Sequence, residues 1–596
     1  MNTRIPERIT ALRELMLQNH IEAYIIPTSD PHISEYPASC WLYREWISGF
    51  TGSAGTVVVT RNKAGLWTDS RYFLQAEQQL KDTGINLYKQ AIPGTPTIEM
   101  FLQGELSEGD TVGLNGDTYC YADTLSLQNN LGRKGILLDT THAFIEQLWK
   151  DRPALPEAPV FDMPVELCGQ SVEDKLLAIN EQLIKAGADC TILSALDEVA
   201  WTFNIRGTDV NYNPVAVSYA FVSAEESVLF INQKKVPQEI AERLNREGVK
   251  LADYGMLGTY LSRLKDGTRV LIDSKRTNTA ICNALPKSCT IVDALSPANL
   301  LKSIKNTTEL EGVRKAMLRD GVALTKFFYW LENAIRNGEK VTELQASRYL
   351  TQLRSEQPLY VMDSFETISS YGANGAIVHY EPTPESDTEL KTDSLYLVDS
   401  GGQYLDGTTD ITRTIPLCEQ PTEQMKKDFT RVLKGTIGLA KCKFPAGARG
   451  CQVDAFARKA LWDAGINFLH GTGHGVGHCL NVHEGPQSIR MEENPETLQP
   501  GMVISDEPGM YRTGEYGIRI ENLILVRKDS QTEFGEFYGF DTLTLCYIDT
   551  RLIIPSMLSV RERAWLNRYH QQVYEQLSPL LEEKEREWLK EKTAEI

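Results

Sequence analysis

The sequence predicts a mixed α/β (α+β) protein of several domains, and three observations carry that reading. Helical periodicity and short β-branched runs alternate along the chain. One order of elements occurs twice in the first half. In the second half, acidic residues sit in apolar β-type runs with helices between them. A chain of 596 residues has room for three or four domains of ~150 residues each, and 42% hydrophobic residues is ordinary for globular cores.

In the first segment, Ile9, Leu12 and Met16 mark a helix and Ala23–Pro27 a strand. A helix-like Trp46-Ile-Ser-Gly-Phe stretch follows, then a hairpin through Thr56–Thr60 and 65–68. The second segment repeats the order. Ser171 and Asp174 form a capping box before a helix carrying Leu176, Leu177, Ile179 and Leu183. Cys190–Leu193 is a strand, Trp201-Thr-Phe-Asn follows, and strands at 215–222 and Ser227–Ile231 complete the copy. The Pro-rich join 152–159 is a linker, so the two related domains span 1–155 and 156–307.

A long helix opens the third domain, 308–550. Thr308-x-x-Glu311 is read as its cap, and Leu310, Val313, Met317, Leu324, Phe328, Leu331 and Ile335 as its apolar stripe, up to Gly338. Two further helices carry Met425, Phe429, Val432 and Ile437, then Val453, Phe456 and Leu461; they end before Pro445 and at Gly465. Helices between acid-bearing strands suit a sheet backed on one face. The tail, 551–596, is helical and interrupted at Pro579. Its Trp565, Leu566, Tyr569, Val573 and Leu577 are expected to pack on the third domain or on a second subunit.

A net charge of −19 argues against nucleic acid, whose affinity rests on phosphate neutralisation, and against anionic membrane surfaces. The start, Met1-Asn-Thr-Arg-Ile-Pro-Glu-Arg, places charges where a signal peptide needs an apolar core. No run approaches the ~20 apolar residues of a membrane span. The eleven cysteines are scattered with no Cys-x-x-Cys pair. The expectation is a soluble, reduced, cytoplasmic protein.

Four of the nine histidines, His470, His474, His478 and His483, lie within fourteen positions, with Gly471, Gly473, Gly475 and Gly477 among them. Glycine removes a side chain where backbone must approach something closely. Imidazoles crowded on such backbone point to a metal or proton-transfer site rather than a solvated loop. Upstream, Asp399 ends a buried-strand pattern, an odd place for a charge without compensation. Asp410 lies eleven residues on, in a second strand over 404–413, so a hairpin would bring both acids to one end of a sheet. Glu507 and Glu521, fourteen apart, are again acids in β-type runs. Four carboxylates around an imidazole repel one another, and some would neutralise without cations. Two divalent ions ~3.5–4 Å apart would satisfy the group. The oxygen-rich, sulfur-free donor set favours manganese, with cobalt or zinc admissible.

Asp399, Asp410, His474, Glu507 and Glu521, in that order and spacing, resemble the five metal ligands of the pita-bread metallopeptidases, which include methionine aminopeptidase, prolidase, aminopeptidase P and creatinase. The words Asp-Ser-Gly-Gly-Gln-Tyr-Leu-Asp-Gly-Thr-Thr-Asp-Ile-Thr-Arg, His-Gly-Thr-Gly-His-Gly-Val-Gly, Asn-Val-His-Glu-Gly-Pro and Ser-Asp-Glu-Pro-Gly-Met-Tyr narrow the resemblance to aminopeptidase P in its long three-domain form. Ser29-Asp-Pro-His-Ile-Ser-Glu-Tyr36, Ser48-Gly-Phe-Thr-Gly-Ser-Ala-Gly-Thr56 and Trp565-Leu-Asn-Arg-Tyr-His570 extend it over nearly the whole chain.

The resemblance implies two domains of creatinase/prolidase N-terminal type, followed by a pita-bread catalytic domain. It implies that Asp410 and Glu521 bridge two metals, His474 and Glu507 complete one site, and Asp399 completes the other. A hydroxide held between the ions would attack the carbonyl of the first residue, with Glu507 assisting proton transfer. His379, His470 and His483 map onto histidines lining the site, there to contact substrate, stabilise the oxyanion and protonate the proline nitrogen, which departs as a secondary amine. Arg519, two residues before Glu521, shares its strand face and would hold that carboxylate or contact substrate. His478 matches no constant position and is expected behind the ligands or solvated.

The activity implied is removal of the N-terminal residue from peptides with proline second. Prolidase, which accepts only dipeptides, is the nearest alternative. An inactive pita-bread binding module is a remoter one, since such relatives lose ligands that are all present here. The aromatic tail and the family's tendency to associate imply a homodimer.

Overall fold

The doubled order of elements becomes two six-stranded sheets of identical topology. A computed structural model describes residues 4–596; Met1, Asn2 and Thr3, which begin the charged start, lie outside the described residues. The first sheet is built from β1 (Ala23–Pro27), β2 (Thr56–Thr60), β3 (Ala64–Thr68), β4 (Asn86–Lys89), β5 (Thr111–Leu114) and β6 (Leu137–Asp139), ordered β4-β3-β2-β1-β5-β6. The second uses β7 (Cys190–Leu193), β8 (Ser218–Ser223), β9 (Ser227–Ile231), β10 (Val249–Ala252), β11 (Arg269–Ile272) and β12 (Thr290–Asp293), ordered β10-β9-β8-β7-β11-β12. Each has two antiparallel pairs in the middle and parallel pairs elsewhere.

Helical spacing sets what each helix buries. In α1 (Ile5–Gln18) the core face is Ile5, Ile9, Leu12 and Met16. In α2 (Val172–Ala186) the Ser171–Asp174 capping box is present, and Val172, Leu176, Ile179 and Leu183 face inward. Leu177, expected on that stripe, is instead 58% exposed, because it lies one residue off the buried row.

By contacts the chain divides into two units. One runs to Met163 and includes Gln170–Asn211 and Val215–Leu301; the other is Pro164–Gly169, Tyr212–Pro214 and Lys302–Ile596. The second unit opens with α3 (Thr307–Arg336) and α4 (Glu343–Ser355). The cap of α3 is Asn306 boxed with Glu309, two residues before the pair expected; Thr308 lies inside the first turn. A three-stranded sheet follows, with β14 (Leu395–Ser400) between β13 (Ile368–Tyr371) and β15 (Ile411–Pro416).

The strand expected over 404–413 is broken. Between β14 and β15 the chain makes a small hairpin, Gly402–Tyr404 with Gly407–Thr408, that pairs with Tyr360–Asp363 in a separate sheet. Gly401 permits the diversion, since a Cβ there would lie 2.0 Å from the Thr409 carbonyl oxygen. β14 and β15 still pair antiparallel, with Asp399 opposite Thr412.

Helices α5 (Glu423–Ala440) and α6 (Gly450–Trp462) follow this sheet in the chain, and a six-stranded sheet completes the unit. Val453, Ala457 and Leu461 form the buried face of α6; Phe456, off that row, is 48% exposed and not core as expected. The larger sheet comprises β16 (Phe444–Pro445), β17 (Gly473–Gly475), β18 (Glu484–Ile489), β19 (Val503–Asp506), β22 (Asn522–Thr532) and β23 (Gly535–Thr542), ordered β16-β23-β22-β19-β17-β18. Between β19 and β22 lies a ribbon of β20 (Gly509–Arg512) and β21 (Tyr516–Arg519).

The tail forms α7 (Val560–Leu577) and α8 (Glu583–Lys592), broken at Ser578–Leu580. Leu566, Tyr569, Val573 and Leu577 are buried in a core shared with Phe328, Leu331 and Tyr547, and Trp565 packs at its edge. The stripe is thus used within one chain. Among the described residues no helix is long and apolar enough to cross a membrane.

Candidate metal centre

Strand ends deliver every acid of the expected ligand set. Asp399 lies one residue from the end of β14, Asp410 precedes β15, Glu507 follows β19, and Glu521 precedes β22. His474 is central in β17, whose close approach to β19 requires glycine: a Cβ on Gly473 would lie 1.9 Å from the Ser505 carbonyl oxygen. The two sheets are tied where the acids meet, by a Glu521 N–H that donates to the Thr412 carbonyl at 3.1 Å.

Potential ligand atoms of Asp410, His474 and Glu521 lie within 4.8 Å of one another. His474 Nε2 is 3.4 Å from Asp410 Oδ2 and 3.6 Å from Glu507 Oε1. Its Nδ1 is 2.9 Å from the Gly475 carbonyl oxygen; donating there, it leaves Nε2 as the ring atom that faces the carboxylates. Glu507 Oε1 accepts from Ser505 Oγ at 3.2 Å, and that hydroxyl accepts from the His474 N–H at 3.0 Å. Glu521 Oε2 accepts from Thr412 Oγ1 at 2.8 Å.

Arg519 grips Asp399, not Glu521 as expected from strand alternation. Its Nη2 and Nε donate to Asp399 Oδ2 at 2.7 and 3.2 Å, and its Nε also donates to Thr412 Oγ1 at 3.0 Å. Alternation fails because β21 stops at Arg519 and the chain turns through Ile520 before β22 begins. Asp399 Oδ1 is left buried and without a hydrogen-bond partner.

The remaining histidines occupy different environments. The His483 ring stands edge-on to His474, centroids 4.5 Å apart. His470 Nδ1 is 2.7 Å from the Gly471 carbonyl oxygen, and its Nε2 is 2.8 Å from the Tyr511 hydroxyl, which accepts from Arg519 Nη1 at 2.7 Å. His379 is half-buried in the loop after β13, and its neighbour Val378 accepts from Arg519 Nη2 at 3.4 Å. His478 is 2% exposed, so a solvated role is excluded. Tyr511, Thr412 and Ser505 were not singled out from the sequence. All three lie in the motif words, but each has a partner from a distant part of the chain: His470 for Tyr511, Glu521 for Thr412 and His474 for Ser505.

Electrostatics show what this cage lacks. Burial, then repulsion from Asp410, pushes the Glu507 carboxyl up to about 7, against the pull of His474. Burial, then Asp410 and Asp399, raises Glu521 well above the carboxylate range. Asp399 is raised by burial despite Arg519. Burial alone would lower His474, but Asp410 and Glu507 outweigh it and hold the imidazole up to about 9. A cluster of four acids with an unpartnered buried oxygen and an aimed imidazole nitrogen fits divalent cations.

Family descriptions agree along the chain. Metallopeptidase family M24 matches residues 311–528. The creatinase/prolidase N-terminal domain matches 8–148 and 151–309, and the C-terminal region of peptidase M24 matches 536–596. A probable Xaa-Pro aminopeptidase P of Coprinopsis cinerea is 42% identical over 99% of this chain and 98% of its own. The chain belongs to the aminopeptidase P family. Aminopeptidase P2 of Arabidopsis thaliana is 40% identical, covering 97% of this chain and 86% of its own. The crystal structure of an X-prolyl aminopeptidase from Caenorhabditis elegans, described as a cytosolic enzyme with a di-nuclear active site, matches with a TM-score of 0.95 at 34% identity, covering all of both chains. The aminopeptidase P architecture here is therefore two creatinase-type domains followed by a pita-bread domain.

In this aminopeptidase P cage, a divalent cation would compete with protons on Glu507 and His474, both of which are held above their ordinary range. Uptake of Mn²⁺ is expected to release protons and to tighten as pH rises from about 6 to about 9, because more of Glu507 and then His474 is ready to ligate. Calorimetric titration at pH 7 in buffers of different ionisation enthalpy counts those protons. A heat independent of the buffer would contradict the proton-laden cage.

Proposed function

We propose that this chain hydrolyses the Xaa-Pro bond, releasing the N-terminal residue from peptides whose second residue is proline. The observation that carries the reading is the buried cage of Asp399, Asp410, His474, Glu507 and Glu521 in a chain of this family. Asp410 and Glu521 would lie between two divalent ions, His474 and Glu507 would complete one site, and Asp399 the other. The oxygen-rich donors favour manganese over cobalt or zinc. When bound, such ions lower the pKa of water towards ~7 and polarise a carbonyl oxygen.

The chain's own groups supply orientation and protons. Arg519 holds Asp399 by one oxygen and leaves the other, buried and without a hydrogen-bond partner, to a cation. Glu507 takes the proton of the attacking water. His483, beside His474, donates to the oxyanion that develops on the scissile carbonyl. The proline nitrogen has no hydrogen in the peptide and must gain a proton to leave. His379 and His470 line the path of that proton, and His470 is joined to Arg519 through the Tyr511 hydroxyl.

The full-length match to aminopeptidase P relatives supports this reading over prolidase. A cytoplasmic setting is supported by the description of the Caenorhabditis elegans enzyme as cytosolic. A chelator should abolish activity and Mn²⁺ should restore it better than Mg²⁺. An Xaa-Pro-Xaa-Xaa tetrapeptide should be cleaved after its first residue; turnover of Xaa-Pro dipeptides alone would make the protein a prolidase. Glu521→Ala or Asp410→Ala should lose metal and activity together, and near-normal turnover by Glu521→Ala would refute the dinuclear site.

His483→Ala should lower kcat by ~10²–10⁴-fold, the scale of a positioned acid–base group. KM and bound metal should change little, because the interaction is made in the transition state. His478→Ala should cost stability through the cavity left at its buried site, not turnover of the folded protein. Loss of metal from His483→Ala would make that residue a ligand, and a larger kcat loss from His478→Ala would mean the wrong histidine has been chosen.

We also propose a homodimer. Its support is the family's tendency to associate, since the tail stripe is buried within its own chain. Light scattering at micromolar concentration should give twice the chain mass; the single-chain mass would refute the dimer.

A further inference from the structure

The stretch carrying His379 has little regular structure. After β13 the chain makes a short 3-10 turn at Gly372–Ala376 and then runs irregularly to β14. Backbone and side-chain polar groups in such a segment need partners from elsewhere, and without them the segment holds no fixed position.

One carboxylate supplies those partners. Glu343, at the start of α4, has 0% exposure. Its Oε1 accepts from the Tyr371 N–H at 2.6 Å and from Asn374 Nδ2 at 3.0 Å. Its Oε2 accepts from the Tyr380 hydroxyl at 2.8 Å and from the Thr388 N–H at 3.2 Å. Two of these donors precede His379 in the chain and two follow it. The backbone of Glu343 adds to the clasp. Its N–H donates to the Thr388 carbonyl at 3.0 Å, and its carbonyl accepts from Ser369 Oγ at 2.8 Å.

The chemistry of the clasp is matched. Every partner of the carboxylate is a donor, which suits an ionised, acceptor-only group. Glu343 lies in the first turn of α4, where the positive end of the helix dipole favours a negative charge. None of the five cage residues is among its partners. The clasped loop does reach the site, because Val378 touches Arg519 and Arg519 holds Asp399.

We infer that Glu343 is a positioning residue for the reaction, closing the 371–388 loop on one carboxylate so that His379 is held facing the substrate. This rests on the reading of His379 as a group that contacts substrate. A purely structural role would make the loss of Glu343 cost the same whether or not His379 is present. A positioning role makes the two losses overlap.

The test is a double-mutant cycle on metal-loaded enzyme. Glu343→Gln keeps the size of the side chain but sets an amide N–H₂ against donors. It should lower kcat by ~10–100-fold, the usual range for groups that orient an active-site residue, with bound metal unchanged. In a His379→Ala background the same change should cost less than ~2-fold. Tyr380→Phe removes a single donor and should show a smaller loss with the same overlap, so it carries the cycle if Glu343→Gln fails to fold. Equal loss in both backgrounds, or no loss in the wild-type background, would overturn the inference. Wild-type turnover by His379→Ala alone would instead overturn the reading of His379, and the single variant identifies that case.

Discussion

Repulsion among buried carboxylates governs the catalytic unit. Asp399, Asp410, Glu507 and Glu521 converge in a pocket where the nearby fixed cations are Arg519 and, when protonated, His474. At an effective dielectric near 20, unit charges 4 Å apart interact by roughly 4 kcal/mol. No arrangement of hydrogen bonds from Thr412 and Ser505 removes a cost of that size. The cage therefore stands either protonated or metal-loaded, and everything that orients it serves the second condition. Each divalent ion that binds the folded chain and not the unfolded one also adds to stability by mass action.

Two separate sheets build the cage, so its geometry depends on how they are joined. The β14–β15 pair brings Asp399 and Asp410, and the larger sheet brings His474, Glu507 and Glu521. The seam runs through Thr412. Its carbonyl accepts from the Glu521 N–H, its hydroxyl donates to the Glu521 carboxylate, and the same hydroxyl accepts from Arg519. Arg519 then reaches Asp399 on one side and Tyr511 on the other. One small residue thus joins the two halves of the cage.

The proposed ligands stand out in the sequence because each breaks a rule: an acid at the end of an apolar strand, or imidazoles set among glycines. The duplicated N-terminal order was legible because helix and strand periods differ, and the two sheets repeat it strand for strand. What was misread depends on geometry that a linear pattern lacks. Asn306/Glu309 and Thr308/Glu311 both fit a capping box, and only the start of α3 separates them. Phe456 and Leu177 each sit one step from a buried helical row. The partner of Arg519 was missed because two-residue alternation holds only while a strand continues. Glu343 was invisible as a clasp, since its donors come from residues 28 to 45 positions away.

The burial of α7 has a consequence for the order of events in biosynthesis. Arg413, next to the seam residue Thr412, donates to the Tyr569 hydroxyl at 2.9 Å and to Asn522 Oδ1 at 2.8 Å. Tyr569 also accepts from the Cys546 N–H at 3.4 Å, so the helix closes the core directly behind the ligands. A nascent chain that has exposed all five cage residues still lacks this backing until α7 leaves the ribosome. The core behind the cage is therefore not closed until α7, which follows all five cage residues in the chain, has been made.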